Sequence, residues 1–287
     1  MPTGSTPTVR RRRLGAELRR LREGAGLTCD MVGEQLERAG STISRIENGR
    51  VGIRARDVLD MLDLYDMGDK KTRDALAALA RDSRKRGWWR TYGDVVSDPY
   101  GDYIGLESDA VSVRSYESQL VPGLLQTESY ARVVAEAGQV RDTSGESERF
   151  VEVRLARQAV LTKDDPPDFW VILDEAVLRR PVGSPKTMRE QLDRLVEAAR
   201  LPTVTLQVLP FSAGAHTGID GSFVVLEFPE PTDLDVVYLE NLTSILYVEQ
   251  PDEVRRYSLA FDHLRAAALS PPKSAALVAE VAKDDLH

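Results

Sequence analysis

Residues 27–49, LTCDMVGEQLERAGSTISRIENG, constrain this chain more than any other stretch. Two short amphipathic segments stand there, at 29–36 and at about 41–48. Val32 and Leu36 are four apart with Met31 beside them, and Ile43 and Ile46 are three apart. Either spacing gives a helix one apolar face. Residues 37–40 alone join the two, which leaves room only for a tight turn between crossed helices. The outer face of the second helix then carries Ser41, Thr42, Ser44, Arg45 and Asn48. Small hydroxyls with one guanidinium suit a DNA major groove, where arginine pairs bidentately with guanine O6 and N7. On spacing alone, an ordinary surface helix hairpin in a bundle fits these residues equally well.

The residues themselves separate the two readings. Leu27-Thr28, Val32-Gly33, Leu36 and the run Ile43-Ser44-Arg45-Ile46-Glu47-Asn48-Gly49 resemble the helix-turn-helix of phage-repressor and Xre-type regulators. The likeness extends back to Arg22 and Gly26. It implies phosphate contacts at Thr28 and Cys29, and base reading by Gly40, Ser41, Thr42 and Arg45. It also implies a structural ion pair between Arg22 and Glu47, tying the first helix to the third. Two positions depart from the family pattern. Glu37 stands where glycine is usual and would have to adopt a left-handed conformation, unfavourable for a residue with a Cβ. Ala39 offers no side-chain cap to the second helix, and Gly40 weakens its start.

A chain of 287 residues is long enough for two domains and a sizeable core. No apolar run approaches the roughly 18 residues of a membrane span. The opening MPTGSTPTVRRRR has basic residues with no apolar segment after them, unlike a secretory signal. A single cysteine, Cys29, excludes an internal disulfide and fits a reducing cytoplasm. Its place at a helix start is one that can lower a thiol pKa, though with no histidine near it in sequence it reads as a plain helix residue. The net charge of −8 conceals an asymmetry. Residues 1–90 hold 20 Lys and Arg against 13 Asp and Glu, whereas residues 91–287 hold 18 against 33. A basic module joined to an acidic one is the charge pattern of a DNA-binding head with a body that does not bind DNA.

Taken in order, residues 1–9 are rich in Pro, Thr, Gly and Ser and are expected to be disordered. A helix begins at Arg10 to Arg13 and carries Leu14, Leu18 and Leu21 on one stripe, ending at Gly24 and Gly26. The four arginines are either a solvated helix end or a phosphate-contacting arm. After Gly49 comes a basic loop with Arg50, Arg54 and Arg56, which in the family lies along the DNA backbone. Such contacts add affinity without sequence choice. A fourth helix at 55–66 turns Val58, Leu59, Leu62 and Tyr65 inward, and a fifth at 69–85 carries Leu76 and Leu79. Trp88 and Trp89 mark a junction, packed against both domains or serving as an aromatic ligand platform.

From Trp88 onward the chain resembles the C-terminal domain that follows such heads in actinobacterial regulators of the WhiJ type. The stretches GWWRTYGDV, YIGLESDA, YESQLVPGLLQTESYAR, RLARQAVLT, VILDEAVLRRPVG, VTLQVLPFSAGAHTGIDGSF and VVYLENLTSILYVE carry the resemblance. It implies transcriptional control alongside a small BldB-like partner protein. Read residue by residue, strands are expected at 111–117, 169–173, 204–209, 223–228, 236–239 and 244–248. Helices are expected at about 127–137, 146–162, 184–199, 252–269 and 273–281. Strands interrupted by helices, then a run of adjacent strands, make a mixed sheet with helices against it.

Chemistry is sparse in this body. His216 lies in the loop AGAHTGIDG with Asp220 four residues on, either a His–Asp pair or a surface histidine in a turn-rich loop. Asp174-Glu175 and Glu240-Asn241 follow strands and either share a pocket or end them in solvent. The apolar run 121–126 is either buried or an interaction surface. Nucleophile elbow, zinc-protease, paired-cysteine and phosphate-loop motifs are all missing, and three histidines argue against a histidine metal site. The expected fold class is α + α/β: a tail at 1–9, an all-α repressor-type five-helix DNA-binding head at 10–86, and a mixed-sheet α/β body at 87–287. The expected function is a cytoplasmic, sequence-specific regulator that binds double-stranded DNA as a homodimer. Its body binds a partner or effector, with no catalytic residue, cofactor or metal assigned and no membrane contact. A bifunctional or degenerate enzyme with a metabolite-processing body is the alternative, and an interaction module with secondary DNA binding is a third.

Overall fold

The computed structural model describes residues 8–83, 87–138, 145–229 and 235–284. Within these limits the chain forms two compact units, one ending at Trp88 and one beginning at Trp89, apart from a short segment after Glu227 that groups with the first. Residues 1–7, the expected head boundary at 86 and His287 lie outside the described residues. Of the tail expected at 1–9, the last two residues are already structured: Thr8 caps the first helix, α1 (Val9–Gly24), by accepting from the Arg11 N–H at 3.4 Å.

The head continues with α2 (Cys29–Gln35), α3 (Gly40–Glu47), α4 (Ala55–Leu64) and α5 (Lys70–Asp82). Leu14 and Leu18 of α1, Val32 of α2, Ile43 and Ile46 of α3, Val58, Met61 and Leu62 of α4, and Leu76 of α5 form one buried cluster. Each such side chain contributes on the order of 1.5–3 kcal/mol by leaving water. Along α4 the fully buried residues are Val58, Met61, Leu62 and, just past its end, Tyr65, an i, i+3, i+4, i+7 stripe. Leu59, expected inward, is only partly buried because it stands beside that stripe. The expected fifth helix stops three residues early, at Asp82, with Ser83 as its cap.

The body is built on one six-stranded sheet of order β3-β2-β1-β4-β5-β6. Its strands are β1 (Ser112–Glu117), β2 (Asp168–Asp174), β3 (Val204–Leu209), β4 (Phe223–Glu227), β5 (Val236–Asn241) and β6 (Ser244–Val248). The first three run parallel, with helical crossovers between them: α7 (Glu128–Gly138) and α8 (Glu146–Arg157), then α9 (Glu175–Arg179) and α10 (Pro185–Ala198). The last three form an antiparallel meander that joins at β1, where Tyr116 faces Phe223. Helices α11 (Pro251–Ala267) and α12 (Pro271–Asp284) close the chain. Tyr116, Ile172, Phe223, Val225 and Val237 bury one sheet face against Phe261 and Leu264 of α11. Their alternate neighbours occupy the opposite face, as the two-residue period of a strand requires. The open edge of β3 is sealed by the segment between the last two helices and the first turn of α12. There the Val208 N–H donates to Ser274 Oγ and the Val208 carbonyl accepts from the Leu269 N–H, both at 2.9 Å.

Two helices carry no legible period in the sequence. One is the short α9. The other is α6 (Asp98–Asp109), capped by Ser97 with Pro99 in its first turn. It buries residues on nearly every side, from Tyr100 and Gly101 to Leu106 and Glu107, so no single apolar stripe marks it. The run 121–126, with an interaction surface as one of its two readings, is largely interior: Val121, Leu124, Leu125 and Gln126 are all buried.

Candidate nucleic-acid interface

The turn between α2 and α3 is closed by the backbone. The Arg38 N–H reaches back to the Gly33 carbonyl at 2.7 Å, and the Glu37 N–H to the Glu34 carbonyl at 3.3 Å. This pair of bonds ends a helix with one left-handed residue, normally glycine. Here that residue is Glu37, with φ of +52°. The helices approach so closely that a Cβ on Gly33 would lie 2.6 Å from the Arg38 carbonyl oxygen. Ala39 caps α3 with no side-chain hydrogen bond, and Gly40 begins the helix. A Cβ on Gly40 would come within 2.9 Å of the Asp30 Cα, so the weak helix former at that start is a steric requirement.

On α3, Ile43, Ile46 and Glu47 are buried while Ser41, Arg45 and Asn48 are exposed, with Gly40, Thr42 and Ser44 between these extremes. Asn48 turns its amide onto its own helix and donates to the Ser44 carbonyl at 2.7 Å. Arg45 has no side-chain hydrogen bond among the described residues, and its carbonyl accepts from the Arg50 N–H at 2.9 Å, folding the basic loop back beneath the helix.

Arg22 and Glu47 hold α3 against α1. Nε and Nη2 of Arg22 donate to the two Glu47 carboxylate oxygens at 2.7 and 3.0 Å, and Nη1 donates to the Leu27 carbonyl at 2.7 Å. Both residues are buried, at 8% and 6% exposure. The hydrogen bond to Glu47 raises the Arg22 pKa further above its ordinary value. Cys29 is drawn into the same cluster, its Sγ 3.8 Å from Glu47 Oε2. Burial, then the Glu47 charge, push the thiol pKa up, the opposite of what a helix start alone would do. Thr28 spends its hydroxyl as the α2 cap, accepting from the Met31 N–H at 3.2 Å. Cys29 thus faces the protein, whereas Thr28 is exposed and its hydroxyl, which accepts from Met31, keeps its own O–H free to donate.

Arg50, Arg54 and Arg56 are exposed on the loop and first turn that follow α3. Arg54 lines a cleft of about 580 Å³ together with Arg11, Arg38, Gly52 and Asp57. Asp57 neutralises Arg38 at 2.7 Å, leaving Arg11 and Arg54 as the cleft's cations without an ion-pair partner among the described residues.

In the body, His216 turns to Asp174, with Nε2 3.8 Å from Oδ2, and its Nδ1 accepts from the Gly218 N–H at 3.2 Å. Asp220 instead lines an open groove with Glu240 and Asn241. Asp174 also caps α9 through the Ala176 N–H, and Glu175 accepts from the Phe211 N–H, so both acids are engaged locally. Among the described residues no group of three metal-ligating side chains occurs, and no helix is long and apolar enough to cross a membrane. Trp88 is 42% exposed. Trp89 sits over Gly101, at 3.0 Å from where a Cβ would stand.

Two family models match parts of the chain. Residues 13–76 match a family described as a helix-turn-helix domain, and residues 100–280 match one described as a domain of unknown function, DUF5753. The chain belongs to the DUF5753 family. No curated protein and no solved structure matches it. The helix-turn-helix match of this DUF5753 protein spans the Arg22–Glu47 pair, the glutamate-closed turn and the exposed face of α3. Two members of its basic surface are not resolved by sequence. Arg11 is one of four arginines with two open roles, and only the fold places it beside Arg54 in the cleft. Arg38 carries no sequence signal, because its partner Asp57 lies nineteen residues on, in another helix.

Proposed function

We propose that this DUF5753 protein is a sequence-specific transcriptional regulator of the Xre type, similar to the WhiJ-type proteins of actinobacteria. It binds double-stranded operator DNA in the cytoplasm as a homodimer and acts as a repressor. The observation that carries this reading is the exposed face of α3, with Ser41 and Arg45 presented from a helix fixed by a buried ion pair. Gly40, Ser41, Thr42 and Arg45 read bases in the major groove. Thr28, Cys29, Arg50, Arg54 and Arg56 hold phosphates, which positions the helix without choosing sequence. A single short helix reads too few base pairs to select an operator in a genome. Two heads about 34–36 Å apart on one face of the duplex supply the rest.

The acidic body binds a partner or effector, a small BldB-like protein being the partner the family resemblance implies. No turnover is assigned to it: around His216, held between Asp174 and the Gly218 N–H, no group of three metal-ligating side chains is found among the described residues. A ligand can change operator affinity only by preferring one state of the regulator, DNA-bound or free. The test is to sequence genomic fragments retained by the full chain and to footprint the enriched site. A two-part motif with half-sites one helical turn apart, protected by a dimer, is expected. Retention without any enriched motif, or protection of one half-site by a monomer, would sink the reading.

A further inference from the structure

On the sheet face away from α11 lies a cavity of about 280 Å³, floored by β1 and β5 and closed by α6 and α8. Most of its polar groups are committed within the protein. Arg157 binds Glu107 through two buried hydrogen bonds of 3.0 and 2.7 Å and also donates to the Tyr100 hydroxyl. Tyr238 donates to Glu240 at 2.8 Å, and its ring stacks on that of Tyr103 at 4.0 Å.

Two charged groups keep capacity to spare. Glu117 accepts from Ser115 Oγ at 2.7 Å and from Ser222, and has no ion-pair partner among the described residues. Arg154 gives Nη1 to Gln126 Oε1 at 2.8 Å, its Nε is enclosed by protein, and its Nη2 makes no hydrogen bond among the described residues. An isolated anion entering here would satisfy Arg154 but meet the Glu117 carboxylate. An isolated cation would satisfy Glu117 and leave the guanidinium edge bare. A molecule with both charges answers both groups. Size narrows it further, since the volume equals roughly nine liquid waters and stands at the small end of the range of ligand sites.

We propose that this cavity binds a small zwitterion of free amino-acid size, its ammonium paired with Glu117 and its carboxylate with Arg154, against the wall of Tyr100, Tyr103 and Tyr238. This gives a chemistry to the effector of the body and rests on the reading of that domain as a binding domain. DNA contact by α3 does not depend on it.

The site has a pH signature. Burial, before other causes, pushes the Glu117 carboxyl up to about 7. The titratable groups that face it are Glu240 on β5, Arg154 on α8, Tyr103 on α6, Tyr130 on α7 and Tyr116 beside it on β1. An ammonium pairs with the ionised form, so affinity should rise about tenfold from pH 6 to pH 8 with proton release on binding.

The experiment is a thermal-shift and calorimetric screen of the full chain with each of the twenty free L-amino acids as probes, then the N-acetyl and α-amide forms of any that bind. At least one free amino acid should raise the melting temperature, and blocking either end should weaken binding tenfold or more. Glu117→Gln and Arg154→Met should each do the same, with melting of the ligand-free protein retained in at least one of them. If no amino acid at millimolar concentration shifts the folded wild-type chain, or a binder keeps its affinity in both variants, the proposal is overturned. Duplex retention is measured on the same preparations. Loss of DNA binding with amino-acid binding intact would count against the regulator reading alone, and the converse against this site alone.

Discussion

Glu37 occupies a backbone position that suits glycine, at φ of +52° in a helix-closing turn. A left-handed residue with a Cβ is strained by roughly 1–2 kcal/mol, of which the greater chain entropy of glycine returns part. Glu37→Gly should therefore raise the stability of the head by up to about 1 kcal/mol, read as an upward shift of its denaturation midpoint with DNA binding unchanged. Glu47→Ala acts in the other direction. It strands the Arg22 guanidinium, buried at 8% exposure, at a cost of roughly 3–5 kcal/mol, and a melting temperature equal to wild type would reject the structural role. Arg45→Ala tests the proposed recognition and should leave melting untouched. Specific binding should weaken by about 1–3 kcal/mol with relaxed sequence choice. Titration against operator and random duplexes separates these, since equal losses on both would move Arg45 from base reading to phosphate binding.

At the level of elements, the loop after α3 and the start of α4 make a testable surface. Arg50→Ala and Arg54→Ala should each weaken binding to every duplex alike. Each should also flatten the slope of log affinity against log salt, by about 0.9 for every phosphate no longer neutralised. An unchanged slope would remove that arginine from the interface. Glu117, at the end of β1, gives the body a pH dependence of stability. Its folded pKa, about 7, lies above its ordinary value of 4.5. Its stabilising contribution is thus complete below the unfolded value and disappears as pH rises through the folded one. Glu117→Gln should make the chain more stable than wild type at pH 8, by roughly 3 kcal/mol, and nearly equal near pH 4. Denaturant melts at the two pH values decide it.

The elements that are legible in the sequence share a cause. Ile43 and Ile46 mark α3, and the six strands either alternate or form short apolar runs, because each element buries one face or two. Where burial surrounds an element, as in α6 with its two glycines and two tyrosines, the period vanishes and the helix is missed. The candidate site divides in the same way. Arg22 and Glu47 can be paired only through a family likeness, since nothing local relates residues twenty-five apart. For His216 the chain misleads in the opposite sense: Asp220 is nearer in sequence, whereas Asp174 is brought up by the neighbouring strand.

For the molecule as a whole, strand order has a consequence in time. β1 is an inner strand whose two neighbours lie far along the chain: Ser112 pairs with Asp168 on one side and Glu227 on the other. The buried cluster of the head, by contrast, draws only on residues from Leu14 to Ala80. At synthesis rates of about 5–20 residues per second, on the order of ten seconds separate the last residue of that cluster from the strand that completes the sheet. During that interval a nascent chain already owns every core residue of its reading head while its body still lacks half a sheet. A polypeptide abandoned by the ribosome in that window would hold every residue of the head's core and too few for the sheet, which makes the fidelity of translation itself a determinant of how much of the first unit a cell contains without the second.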